Sequence, residues 1–198
     1  MNDIAAEASD AVRFRLNGVE QELRVAADIR LIDLIRERFG LMASKASCRI
    51  GRCGSCLVLV DGKAVNACLM MGWQLDGADI VTAEGLDALP EGRAVRAALM
   101  TEVAFQCGYC APGFTVALTA LFRRDPLAQE GAIRAALAGN LCRCTGYLSI
   151  LRGAATARAA LGGQRTDSVS CPHDQAAKEN HHVDSRNRAR RRAQHSGD

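Results

Sequence analysis

Residues 44–56 read SKASCRIGRCGSC, and residues 57–68 continue as LVLV, DG and KAVNAC. How this stretch is read decides the fold. The first part is a loop, bent at Gly51 and Gly54. The second is a hairpin whose strands meet at Asp61–Gly62, a dipeptide suited to the tight turn between antiparallel strands. Cys48, Cys53, Cys56 and Cys68 fall across it as C-x4-C-x2-C-x11-C.

The opening C-x4-C-x2-C is the spacing of plant-type [2Fe–2S] sites. Such a cluster is a flat rhomb, so two thiolates must reach each iron from opposite ends. Three can come from one loop only if its backbone wraps the inorganic sulfides. The cluster is anionic and becomes more so on reduction, so backbone N–H groups must point at its sulfurs. Glycine, lacking a Cβ, allows that approach and the left-handed backbone it needs. Cys68, at the end of a hairpin strand, would supply the fourth thiolate. A structural zinc site also takes four cysteines, but usually as two close pairs rather than a triple and a single. Unbound buried thiols are the other alternative.

Outward from the loop, residues 12–26 read as two alternating strands around Asn17–Gly18. Residues 30–39 read as a helix with Leu31, Leu34, Ile35 and Phe39 at helical spacing, and DIVT closes the region near Thr82. From Pro90 the pattern turns helical. Residues 92–106 carry the stripe Val95, Leu99, Val103, and residues 113–123 carry Phe114, Ala117, Leu118, Leu121, Phe122. A third helix is predicted over 127–138, with Asp125–Pro126 as N-cap and first helical residue. A fourth is predicted over 148–161. Four short helices suggest a small bundle, joined to the first part by a linker at 84–92.

The helical part holds a second quartet, Cys107, Cys110, Cys142 and Cys144, spaced C-x2-C-x31-C-x1-C. The pairs lie in QCGYCAPGF and NLCRCTGY, each between two predicted helices, so both can meet at one end of a bundle. That points to a metal site, with the metal left open by the spacing alone.

Hydrophobic residues make up 48% of the chain and aromatics 4%, so the core must be built mainly from Ala, Val, Leu and Ile. All four histidines (His173, His181, His182, His195) lie near the C-terminus, which removes histidine as a ligand or base elsewhere. The net charge of +3 names no partner. The N-terminus shows no basic, apolar leader, and no stretch approaches the roughly 20 apolar residues of a membrane span. Cysteines in such a chain are expected to serve metal or catalysis rather than disulfides.

In order and spacing, CRIGRCGSC, QCGYCAPGF and NLCRCTGY resemble the small subunit of the xanthine oxidase / carbon monoxide dehydrogenase family of molybdenum hydroxylases. The resemblance covers about residues 11–162. It implies an α+β chain: an N-terminal β-grasp domain like plant ferredoxins (10–84), then a C-terminal four-helix bundle (90–162). Each would hold one [2Fe–2S] cluster, the first on Cys48, Cys53, Cys56 and Cys68, the second on Cys107, Cys110, Cys142 and Cys144. The second would lie nearer the molybdopterin cofactor of a separate large subunit. Gln106 matches a family glutamine that hydrogen-bonds the pterin, and Cys144 matches the ligand cysteine closest to it. The first cluster would lie nearer the next acceptor, a FAD-binding subunit or a cytochrome. The chain would thus be the electron-transfer subunit of an oxidoreductase and make no substrate bond itself. It departs from the family at Ser47, where Gly often stands.

Other features carry narrower expectations. Arg49, Arg52 and Arg143 could tune the clusters, because a nearby cation favours a reduced, more negative site; the alternative is plain surface arginines. Trp73 is read as a core or interface aromatic, Met70 and Met71 as packing. Tyr109 and Tyr147 are read as shields of the clusters from water, with the electron route as the alternative. Residues 163–198 are expected to be a disordered basic tail rather than a nucleic-acid site, and a metal site on Cys171, His173, His181 and His182 is not expected. The location is expected to be cytoplasmic, or periplasmic if a partner carries the export signal. Competing functions are a stand-alone redox sensor and a zinc-stabilised interaction module.

Overall fold

The computed structural model describes residues 11–163; the expectations for Cys171, the histidines and the rest of the tail fall outside them. Strands β1 (Ala11–Leu16) and β2 (Val19–Arg24) form the first hairpin, and β3 (Leu57–Val60) and β4 (Lys63–Asn66) the second. Both turn dipeptides take left-handed backbone, Asn17 and Gly18 at φ 50° and 83°, Asp61 and Gly62 at 49° and 77°. Positive φ at both central residues is what the hairpin turn matched to strand twist requires. With β5 (Asp79–Val81) the strands make one mixed sheet, ordered β2-β1-β5-β3-β4. In it β1 runs parallel to β5, while β5 and β3 are antiparallel.

In β1 the alternation places Val12, Phe14 and Leu16 inward and the arginines outward. They meet α1 (Leu31–Asp33), which a π-helical turn, Leu34–Arg38, continues. Leu31, Ile32, Leu34 and Ile35 from this segment join the same core, together with Val58, Val60, Leu75 and Ile80. The helix expected over 30–39 is therefore present, with its second half wound wider.

Helices α2 (Pro90–Thr101), α3 (Ala111–Arg124), α4 (Glu130–Leu137) and α5 (Leu148–Gly162) follow. Helix α2 packs on α5 and α3, and α4 packs on α3 and α5. Their core contains Val95, Leu99, Phe114, Leu118, Phe122, Ile133, Ile150 and Ala157. Strand β3 is buried along its whole length because it serves both cores: Val58 and Val60 face the first, Leu57 and Leu59 the second.

Three expectations need correction. Helix α2 ends at Thr101, and Val103 is 78% exposed rather than part of the buried stripe. The Ala104 N–H bonds back to the Leu99 carbonyl and the Val103 N–H to the Met100 carbonyl, which is a Schellman stop with Val103 left-handed at φ 46°. Helix α4 starts at Glu130, because Asp125 closes a turn instead: its side chain accepts from the Leu127 N–H and its carbonyl from the Ala128 N–H. The stretch 84–92 is packed rather than a bare linker. A 3-10 segment, Ala83–Ala88, buries Leu86 in the helical core, and Gly92 lies against the Leu86 carbonyl.

Candidate metal centres

The first quartet is gathered by a loop that turns left-handed three times, at Arg49 (φ 57°), Gly51 (74°) and Gly54 (69°). The turns at Arg49 and Gly51 bring peptide N–H groups toward Cys48, and the Arg52 N–H donates to Cys48 Sγ at 3.3 Å. The loop is braced from outside. Arg30 donates to the Arg49 carbonyl (2.9 Å), and the Arg49 guanidinium grips both carboxylate oxygens of Asp33 (2.7 and 2.9 Å). Arg49 therefore spends its charge on an acid, which weakens its case as a tuning cation. Asn66, on β4, donates to the Gly51 carbonyl and lies 3.6 Å from Cys56 Sγ through its side-chain oxygen.

Cys56 and Cys68 are buried, Cys48 and Cys53 half-buried. The thiols respond to their surroundings and to one another. The Cys48 thiol is drawn down to about 6, first by the Ile50 amide, then by the Arg52 amide and by Cys53, against a cost from burial. Burial pushes Cys56 up to about 12; the Cys68 amide opposes this, while the thiols of Cys68 and Cys53 add to it. Loading a cluster here must expel protons.

The second quartet sits where the α2–α3 and α4–α5 connections meet. Cys107 and Cys144 lie 3.7 Å apart, sulfur to sulfur, and are exposed. Cys110 is buried at the start of α3, and its thiol is pushed up to about 12, first by burial and then by neighbouring Cys142. Cys142 is held below its ordinary range: burial opposes this, but the Thr145 hydroxyl, 3.1 Å from its sulfur, and the amides of Cys144 and Thr145 outweigh it. Cys144 is raised by its contact with Cys107. The thiols thus pair across the two connections, Cys107 with Cys144 and Cys110 with Cys142.

Among the described residues no three His, Cys, Asp or Glu close on one point as a single ion would require. Four thiols in two pairs, with amides turned toward sulfur, are instead what a two-iron rhomb needs, so the residues present fit that group. Gln106, Tyr109, Leu141 and Arg143, within three residues of Cys107 or Cys144 in the chain, are exposed. Tyr109 stands half-open with Lys45 6.0 Å from its ring centre. Trp73 is 66% exposed, so it is no core residue; Met70 is buried as expected. Asn140 and Tyr147 bound the motif NLCRCTGY, which marks Asn140 for no role and Tyr147 only as a shield, not as hydrogen-bond partners of the cysteine loops. The side chain of Asn140 is buried and reaches Gly54 (3.4 Å), and the Tyr147 hydroxyl engages the backbone of Asn140 and Cys142.

Comparison with known proteins points the same way. The family described as a 2Fe-2S iron-sulfur cluster binding domain matches residues 14–86, and that described as a [2Fe-2S] binding domain matches residues 82–155. The chain is 47% identical to a probable xanthine dehydrogenase subunit of Bacillus subtilis, over 79% of this chain and 90% of that one. It is 37% identical to the nicotinate dehydrogenase small FeS subunit of Eubacterium barkeri, over 70% and 88%. The solved quinoline 2-oxidoreductase of Pseudomonas putida contains a chain that superposes with a TM-score of 0.71 at 30% identity, covering 79% of this chain and 98% of that one.

Proposed function

Since the chain belongs to the small iron–sulfur subunits of the molybdenum hydroxylase family, we propose that its two cysteine quartets hold two [2Fe–2S] clusters and relay single electrons from the molybdopterin site of a partner subunit to a flavin or cytochrome acceptor. The observation that carries this is the gathering of four thiols at the helical site in two pairs, with Cys107 and Cys144 at 3.7 Å. A zinc-stabilised module would need each quartet to converge on one point. Each cluster, when bound, changes by one electron, so a two-electron oxidation elsewhere leaves in single steps.

The chain's own residues divide the work. We read the helical half as a four-helix bundle (90–162) and the sheet half as a β-grasp domain (10–84). Cys107 and Cys144 meet at an open surface, and their chain neighbours Gln106, Tyr109 and Leu141 are exposed as well. Apolar side chains around open thiols support that face as the one the molybdopterin-binding subunit covers, with Gln106 and Cys144 toward the pterin. Cys56 and Cys68 are sealed from water, so electrons would leave this half past Cys48 or Cys53. Among the described residues no helix is long and apolar enough to cross a membrane.

Anaerobically isolated protein should be brown, with about four irons and four sulfides per chain. Reduced with dithionite, it should show two rhombic paramagnetic resonance signals. Zinc in place of iron, or a single signal, would overturn the assignment. Purification from its native source should bring a molybdenum-containing partner with it; a redox sensor would come alone.

A further inference from the structure

Tyr147 has backbone that an aromatic residue seldom adopts. Its φ is 69°, directly after Gly146 at 63°, at the entry to α5. The left-handed turn folds the ring back over the preceding loop, against the buried ring of Phe114 with centroids 6.0 Å apart. There the hydroxyl does two things at once. It accepts from the Cys142 N–H at 3.0 Å and donates to the Asn140 carbonyl at 3.0 Å.

Asn140 continues the connection. It is 2% exposed, and its amide donates to the Gly54 carbonyl in the first cysteine loop. Beside it the Leu141 N–H donates to the Cys53 carbonyl at 3.0 Å. The approach is close: a Cβ on Gly54 would lie 2.6 Å from the Asn140 amide nitrogen and 2.7 Å from the Gly139 carbonyl. Hydrogen bonds thus tie Cys142 through the Tyr147 hydroxyl to the Asn140 carbonyl, and the Asn140 side chain and the Leu141 N–H carry the connection on to the Gly54 and Cys53 carbonyls. We propose that Tyr147 is a positioning residue whose hydroxyl locks the Cys142 arm of the second cluster to the Cys53 loop of the first, and so fixes the spacing and magnetic coupling of the two clusters. This rests on both quartets holding two-iron clusters.

The test uses the intact complex and compares wild type, Tyr147→Phe and Tyr147→Ala. Iron and sulfide content, the midpoint potential of each cluster and the low-temperature splitting of the doubly reduced state are measured. Phenylalanine keeps the ring against Phe114 and loses only the hydroxyl. The expected result is wild-type iron content, a changed splitting and a shifted potential confined to the helical-half cluster, with Tyr147→Ala showing at least the same changes. Where Tyr147→Phe loses that cluster, no splitting can be read and the decision passes to Asn140→Ala. A Tyr147→Phe protein with unchanged splitting and potentials overturns the proposal, including where Tyr147→Ala shifts them, because the ring and not the hydroxyl would then matter. If Tyr147→Phe does not assemble, Asn140→Ala decides, since it removes the side-chain donor to Gly54 and leaves the tyrosine in place: altered splitting supports the lock, unaltered splitting ends it. Two signals in wild type beside an unchanged variant refute this lock only; fewer than two in wild type refute the cluster assignment beneath it.

Discussion

Gly54 does two jobs at one position. Its φ of 69° is open to glycine at little cost, and its missing Cβ leaves room for Asn140 and Gly139. Gly54→Ala should therefore fail twice, by strain and by overlap, at about 1–3 kcal/mol for the overlap alone. Loss of iron from both sites during gel filtration would register it. Asp79 gives a pH-dependent case. Hydrogen bonds from Arg15 hold its carboxyl below the ordinary range, helped by the charges of Arg15 and Arg123, against partial burial. A carboxyl depressed in the folded state stabilises above its unfolded value of about 3.9 and loses that contribution as pH falls through the folded value. Both partners are 40–50% exposed, so the pair contributes at most about 1 kcal/mol. In iron-free protein, the gap in urea midpoint between wild type and Arg15→Ala should be present at pH 6 and shrink below about pH 4. At this scale the cysteines were legible, because ligand chemistry dictates residue type and spacing. Asn140 and the hydrogen-bonding role of Tyr147, which was read only as a shield, were not, because both arise where two loops meet, and Gly54 and Asn140 lie 86 residues apart in sequence.

Helix ends expose the limits of periodicity more clearly than helix interiors. The stripe Val95, Leu99, Val103 had the right spacing, yet the last member sits past a Schellman stop. Glycine is the usual residue there, and the side chain of Val103 packs little. Val103→Gly should raise stability by roughly 0.5–1 kcal/mol, seen as a higher thermal midpoint, since the relief of strain exceeds the added freedom of the unfolded chain. Gly131, exposed in the first turn of α4 with open space around it, is the converse: Gly131→Ala should also stabilise, by less than the roughly 0.5–1 kcal/mol of a helix interior, through helix propensity. The two hairpins were readable because Asn-Gly and Asp-Gly encode their turns locally. The late start of α4 was not, because Asp125 can serve a cap or a turn equally well and only the packing of α4 chooses.

Across the whole chain, the two cores draw on buried aliphatic and aromatic side chains far more than on thiols. Stripping iron with a chelator should thus leave most strand and helix signal in circular dichroism. Hydrogen exchange should accelerate chiefly in residues 44–56, 104–110 and 138–147, the loops that present the cysteines. The family motifs made the order of sheet half and helical half legible from end to end, whereas the packed 3-10 segment at Ala83–Ala88 was hidden by its Gly, Asp and Glu content. Strand β3 has the widest consequence. Its four residues belong alternately to one interior and the other, like a party wall between adjoining houses. Grafting either half from a distant relative would leave two of those side chains facing a foreign interior, so productive chimeras must carry the wall's matching neighbours with it, and the halves are bound to evolve as a pair.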